Sequence, residues 1–177
     1  MDGNGIFETG PIVVPKVNLI YNVPSFKYSK SYAFINDKIK FISNRLLLNI
    51  GARYDYFSYS KAGNVSPRFS ATYFLTPNIT SINFAWGIYY QTQPYPVYAD
   101  RYYSGINRNL LNTKAIHYVL GFEHIFDKGL KLNFEGYYKT YSNIPYGKEF
   151  IHFDDRTFRS EQKVNIGKMY AYGLDFV

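Results

Sequence analysis

The chain has 177 residues, no cysteine, a formal net charge of +7 and 20% aromatic residues, led by 20 Tyr. The lack of cysteine excludes disulfide frameworks, thiolate metal sites and Cys nucleophiles. Lys and Arg are scattered rather than clustered and no recognition helix is visible, so the charge reads as solvated faces and loops and no nucleic-acid partner is expected.

Residues 1–30 show no regular alternation and carry Pro11, Pro15 and Pro24; they read as a loop. The opening MDGNGIFETGPIVVP has neither a basic region nor an apolar stretch of the signal-peptide kind, so an exported protein is expected to have its true start upstream of Met1. Seven strands are then predicted from a period of two in apolar character. The first is Ser31–Phe41, with Ala33, Ile35, Ile39 and Phe41 on one face and Asp37 as an exception. The second is Arg45–Phe57, where Leu46, Leu48, Ile50, Ala52, Tyr54 and Tyr56 alternate with Asn49, Gly51, Arg53 and Asp55. The third shows its apolar face at the odd positions of 65–75, and the fourth at the even positions of 82–90. The fifth, Ala115–Phe126, presents Ile116, Tyr118, Leu120 and Phe122 on one side. The sixth, Leu130–Tyr141, sets Leu132, Phe134 and Tyr138 against Lys131, Asn133, Glu135 and Lys139. The seventh is Val164–Phe176, with Ile166, Tyr170, Tyr172, Leu174 and Phe176 opposed to Gly167, Gly173 and Asp175.

Each strand runs to about ten residues or more, where soluble strands average about five or six and a tilted bilayer-crossing strand needs roughly nine to eleven. No stretch approaches about 18 apolar residues, so no transmembrane helix is expected. The connections at Ile42–Asn44, Thr76–Ile79 and Asp127–Gly129 are tight and rich in turn formers, whereas 58–64, 91–114 and 142–163 are read as longer loops. Short and long connections alternate, which places the short ones at one end of the sheet. The apolar faces of the second to sixth strands carry no Asp, Glu, Lys or Arg, with His124 as the exception besides Tyr; Lys168 sits early on the apolar face of the seventh. A charge on a lipid-facing position near the midplane costs about 2–4 kcal/mol, so the apolar faces are assigned to lipid. The predicted class is all-β: an antiparallel transmembrane β-barrel segment.

Catalytic constellations are absent. His117, His124 and His152 are too far apart for a ligand pair on one element, and His152-Phe153-Asp154-Asp155 reads as a solvated loop cluster. No cofactor is expected. Glu123 and Glu135 share a face with Lys131 and Lys139, which reads as wall electrostatics; Arg68 is expected to pair with Asp55 or another carboxylate. The segment YYQTQPYPVYADRYYSGINRNLLN stands out. Tyr89, Tyr95, Tyr98, Arg101, Tyr102 and Tyr103 are the candidate ligand-contact residues, because Tyr and Arg supply large contact area with a polar tip; the alternative is an interface girdle and loop self-packing.

The stretches YAFINDKIKFISNRLLLNIGARYDYF, NVSPRFSATYFLT, LLNTKAIHYVLGFEHIF, LKLNFEGYYKTYSN and YAYGLDF, in this order over residues 31–176, resemble the barrel of TonB-dependent outer-membrane receptors. The resemblance implies a barrel of about 22 strands with a plug inside it, located in the bacterial outer membrane. It also implies active uptake of a scarce nutrient (siderophore, vitamin, metal chelate or saccharide), energised by the TonB complex through the plug. Seven strands are too few for that barrel, and no plug, TonB box or leader is visible, so residues 31–177 are read as part of the barrel and 1–30 as an extracellular loop. The implied partners are outer-membrane lipid and a nutrient ligand. Two other readings stay open on the residues alone: a passive porin-like or adhesin barrel, and a soluble secreted β-rich protein that binds carbohydrate.

Overall fold

The structure is a computed structural model that describes residues 27–98, 107–147, 152, 153, 157, 158 and 162–177. Its strands are β1 (Lys30–Phe41), β2 (Leu46–Phe57), β3 (Ala62–Thr76), β4 (Thr80–Gln91), β5 (Thr113–Ile125), β6 (Lys131–Gly147), β7 (His152–Phe153), β8 (Thr157–Phe158) and β9 (Lys163–Phe176). Seven of them form one antiparallel sheet in the order β1-β2-β3-β4-β5-β6-β9, and β7 and β8 make a separate small hairpin. Each strand of the large sheet pairs with the next large strand in the chain, so the sheet is a plain meander. It is open: β1 and β9 are its edges.

The ladder sets the predicted apolar positions side by side. Ile50 pairs with Phe69, Phe69 with Trp86, Trp86 with Tyr118, Tyr118 with Tyr138 and Tyr138 with Tyr172. One rung further on, Phe84, Leu120, Gly136 and Leu174 follow in register. On the opposite face, Gly51, Arg68, Gly87, His117 and Lys139 align in the same way. Exposure runs opposite to that of a soluble protein. Leu120 is 59% and Leu174 72% exposed, while Ser66 and Ser81 on the polar face are 3% and 6% exposed. A single sheet layer with its apolar side outward and its polar side sheltered is the wall of a transmembrane barrel, where lipid takes the place of a core.

The tight turns behave as expected. Ile42, Ser43 and Asn44 all take positive φ, as does Asn78, and Gly129 at φ 80° closes a short 3-10 turn at Asp127–Gly129. His124, on the apolar face near this end, has its ring nitrogen satisfied by Thr80 Oγ1 at 2.8 Å.

Two loop boundaries differ from expectation. The 58–64 connection shrinks to a four-residue turn, because Tyr56 and Phe57 continue the ladder to Gly63 and Ala62 and Lys61 takes the positive φ. Likewise, β6 continues to Gly147 through a register shift at Asn143, whose φ is 59°. Most of the segment 1–30 lies outside the described residues; Lys30 already belongs to β1.

Candidate functional site at the loop-bearing end

The one cluster of buried hydrophobic residues among those described sits at the loop-bearing end of the sheet. Phe57 closes β2, Leu110 lies in the segment before β5, and Tyr98 ends a single helical turn, α1 (Tyr95–Tyr98); Tyr59 and Val97 pack around them. The rings of Phe57 and Tyr98 are 5.8 Å apart and those of Tyr59 and Tyr98 5.5 Å, the latter edge to face. Such pairs stabilise beyond their buried area. Burial pushes the Tyr98 phenol above its usual pKa, against the smaller opposing pull of the Gln93 backbone and the Ser60 hydroxyl.

Amide side chains pin the neighbouring segment 107–112 to the sheet. Asn165 accepts from the Leu111 amide at 2.7 Å and donates to the Leu111 and Asn143 carbonyls. Gln93 donates to Leu111 O and Thr113 Oγ1, and Asn107 Oδ1 accepts from the Lys163 amide at 2.9 Å. Arg108 donates to the Tyr59 carbonyl at 2.8 Å and lies over its ring. These bonds hold the segment 107–112 in a fixed place against the sheet.

Beside the cluster opens a cleft of about 430 Å³. Tyr28, Lys30, Phe57, Gln93, Tyr95 and Tyr98 are among its walls. Lys30 is held at its edge by a 2.8 Å bond from Nζ to Thr92 Oγ1 and sits 5.2 Å from the Phe57 ring centroid. A second hollow, lined by Lys30, Arg53, Asp55, Gln91 and Asn112 among others, continues from it down the polar face. There Arg53 grips Asp55 through Nε and Nη2 at 2.8–3.0 Å and stacks 4.3 Å from the Tyr32 centroid. Below follow Arg68 over Tyr89 and, 4.6 Å from Tyr89, the ring of His117. The arrangement offers cations, aromatic faces and amide donors along one path from mouth to lumen. That chemistry suits a large anionic or polar ligand, and among the described residues it contains no nucleophile–base pair.

The structure brings three of the six predicted contact residues to this region. Tyr89 lies on the polar wall, Tyr95 is 39% exposed at the cleft, and Tyr98 is 1% exposed and contributes a buried edge that supports the cleft. Arg101, Tyr102 and Tyr103 lie outside the described residues. Sequence reasoning missed Tyr28, Lys30, Phe57 and Arg108. Their signal was position alone: all four stand at the loop-side ends of strands or in the pinned segment. Of the carboxylates expected for Arg68, Asp55 pairs instead with Arg53, because the two-residue spacing puts Arg53 and Asp55 side by side on one face. On that face, where wall electrostatics was expected, Lys131 and Glu123 form an ion pair at 2.7 Å.

A family model described as the TonB-dependent receptor-like β-barrel matches residues 5–177. The chain belongs to that family. It is therefore a segment of a bacterial outer-membrane receptor barrel, which decides against the soluble and porin-like readings; the family is one of membrane receptors and transporters, not enzymes. Solved structures agree on the fold. A mutant of the ferric enterobactin receptor PfeA from Pseudomonas aeruginosa superposes with a TM-score of 0.71 at 19% identity, over 84% of this chain and 24% of that one. Another PfeA mutant, in complex with enterobactin, gives 0.70 at 18% over the same shares. The siderophore receptor PirA from the same organism gives 0.69 at 16%, over 84% of this chain and 30% of that chain. The chain thus spans about a quarter of the length of these receptors. No curated protein matches it.

Proposed function

We propose that this chain forms part of the wall and outer mouth of a receptor that takes up a ferric siderophore, with the cleft beside Lys30 as a ligand contact. The observation that carries the reading is the composition of that cleft: one lysine, four aromatic rings and amide donors on a rim held by side-chain hydrogen bonds. An iron chelate of catecholate type is anionic and planar at its periphery. It pairs with a cation and stacks on aromatic faces, both of which the cleft supplies. The fold shared with siderophore receptors supports the same class. Uptake through the whole receptor, with a plug in the lumen and energy from TonB, belongs to this proposal.

The test uses the complete receptor that carries this segment, titrated with a ferric catecholate, a ferric hydroxamate, cobalamin and a maltooligosaccharide. The expected result is binding of a ferric chelate, weakened about tenfold by Lys30→Ala through loss of a charged contact. Binding of cobalamin or saccharide in place of every ferric chelate overturns the siderophore class. Unchanged affinity in Lys30→Ala removes the cleft from the ligand path.

A further inference from the structure

The second hollow, next to the Lys30 cleft, differs from it in chemistry. It has a volume of about 270 Å³ and shares Lys30, Phe57, Gln91 and Thr92 with the cleft, so one ligand can reach both. The walls it does not share include Arg53, Asp55 and Asn112. Its own cation, Arg53, is neutralised by Asp55 at 2.8 Å. Away from the shared lysine the hollow therefore carries no net charge. Two polar atoms at this level of the wall are buried without a partner among the described residues. Asn112 is 5% exposed, and its Oδ1 accepts no hydrogen bond. Asn64, the register partner of Asp55, buries an Nδ2 that donates none. Buried polar groups in folded proteins are nearly always paired, and leaving one unpaired costs its full desolvation.

We propose that this hollow is a subsite for a neutral, polyhydroxylated ring carried by the ligand, with Asn112 as the residue that selects it; the proposal rests on the siderophore reading of the neighbouring cleft. Hydroxyl groups both donate and accept, so a ring that bears several satisfies an orphaned acceptor and an orphaned donor together. One hydroxyl donates to Asn112 Oδ1, and the oxygen of another accepts from Asn64 Nδ2. Asp55 keeps acceptor capacity beyond the bonds it takes from Arg53 Nε and Nη2, and Gln91 brings an amide with both functions. An anionic substituent fits worse, because it would face the Asp55 carboxylate and leave Asn112 Oδ1 unpaired. The size suits one ring: 270 Å³ is the liquid volume of about nine waters. A site built to hydrogen-bond a hydroxyl also rejects the analogue that lacks it, since its buried groups then stay unpaired. The cleft thus takes the charge of the ligand and the hollow its hydroxyls.

Calorimetric titration of the complete receptor compares two probes: the ferric complex of a tris-catecholate, and that of the same tris-catecholate bearing one glucosyl group. The wild-type receptor is expected to bind the glucosylated complex about tenfold more tightly. Asn112→Leu removes that preference and leaves the affinity for the bare complex unchanged, which also shows that the variant is folded. Asn112→Asp keeps an acceptor at the same place and keeps the preference. Asn64→Ala lowers the preference about threefold and keeps the test readable should Asn112→Leu fail to fold. Lys30→Ala weakens both complexes alike, which separates the charge of the cleft from the selectivity of the hollow. Equal binding of the two complexes by the wild type overturns the subsite and leaves the cleft standing. A preference indifferent to both asparagines also overturns it. Binding of neither ferric complex overturns the siderophore reading and the subsite with it.

Discussion

Arg68 places its guanidinium 4.9 Å from the centre of the Tyr89 ring, across the strand boundary between β3 and β4 on the polar face. The ring lies close over the backbone because residue 87 is glycine: a Cβ there would meet Tyr89 Oη at 2.9 Å. The same device recurs at Gly173, which Tyr137 covers while Lys139 sits 4.5 Å from that ring's centre. Glycine beside tyrosine, along the strand at Gly87 and across it at Gly173, lets a bulky side chain lie against the barrel wall, leaving its face to a cation and the lumen open.

From this pair follows a separation of stability from function. Tyr89→Ala removes one partly exposed cation–π contact, about 0.5–1 kcal/mol. The barrel is expected to fold, with an unfolding midpoint in guanidinium close to that of the wild type, while ligand uptake into cells falls several-fold because the polar path loses its aromatic face. A large loss of stability with unchanged uptake per folded receptor assigns Tyr89 to packing alone.

Sidedness is the next expectation. An epitope inserted between Lys61 and Gly63 of the full receptor is labelled on intact cells, and so is one near Gly105. Epitopes at Asn78 or Lys128 are labelled only after the outer membrane is opened. The reverse pattern inverts the topology, and with it the placement of the Lys30 cleft at the outer mouth.

The two faces respond differently to charge. Phe84→Arg and Leu120→Arg, on the lipid side, are each expected to destabilise the folded receptor by about 2–4 kcal/mol. Asn83→Arg is milder, since its neighbours on the polar face include Ser81 and Thr72, whose hydroxyl donates to Asn83 Oδ1 at 2.8 Å. Gly121→Ser is milder still, because an added Cβ meets nothing nearer than 3.6 Å. Denaturant titration of the refolded receptor in vesicles compares the four.

Isolated residues 1–177 behave as a sheet with two open edges. Each exposes a row of unpaired backbone groups, which cost several kcal/mol apiece in hydrocarbon and invite pairing with other chains in water. The segment alone is expected to aggregate, with β-type circular dichroism and no cooperative melt. A soluble monomer with a sharp transition contradicts the wall assignment.

The strands were legible because period-two alternation survives in each of them: Ile82, Phe84, Trp86 and Ile88 all fall on one face of β4, and the ladder puts them against Phe122, Leu120, Tyr118 and Ile116. Where the period breaks, so did the reading. Asn143, with positive φ, interrupts the β6–β9 ladder with a register shift, which hid the strand from Ser142 to Gly147. Gly63 and Asn64 look like turn residues, yet they pair with Tyr56 and Asp55. The helical turn α1 was not foreseen in the 91–114 loop; Pro96 falls in its first turn, where its missing N–H costs nothing. The mouth was the least legible part. Phe57, Tyr98 and Leu110 meet only through long-range packing, and local alternation carries no information about which loop residues converge.

The most direct measurement of the central claim is a spin-label scan of residues 116–124 in the full receptor reconstituted in lipid vesicles, one cysteine at a time against a background freed of any native cysteine. Accessibility to oxygen, which partitions into the bilayer, is expected to peak at positions 116, 118, 120 and 122. Accessibility to a water-soluble nickel chelate is expected to peak at 117, 119, 121 and 123. Two alternating profiles out of phase are the result the account predicts. Uniformly low accessibility to both reagents at every position, as in the interior of a soluble sheet protein, would contradict it.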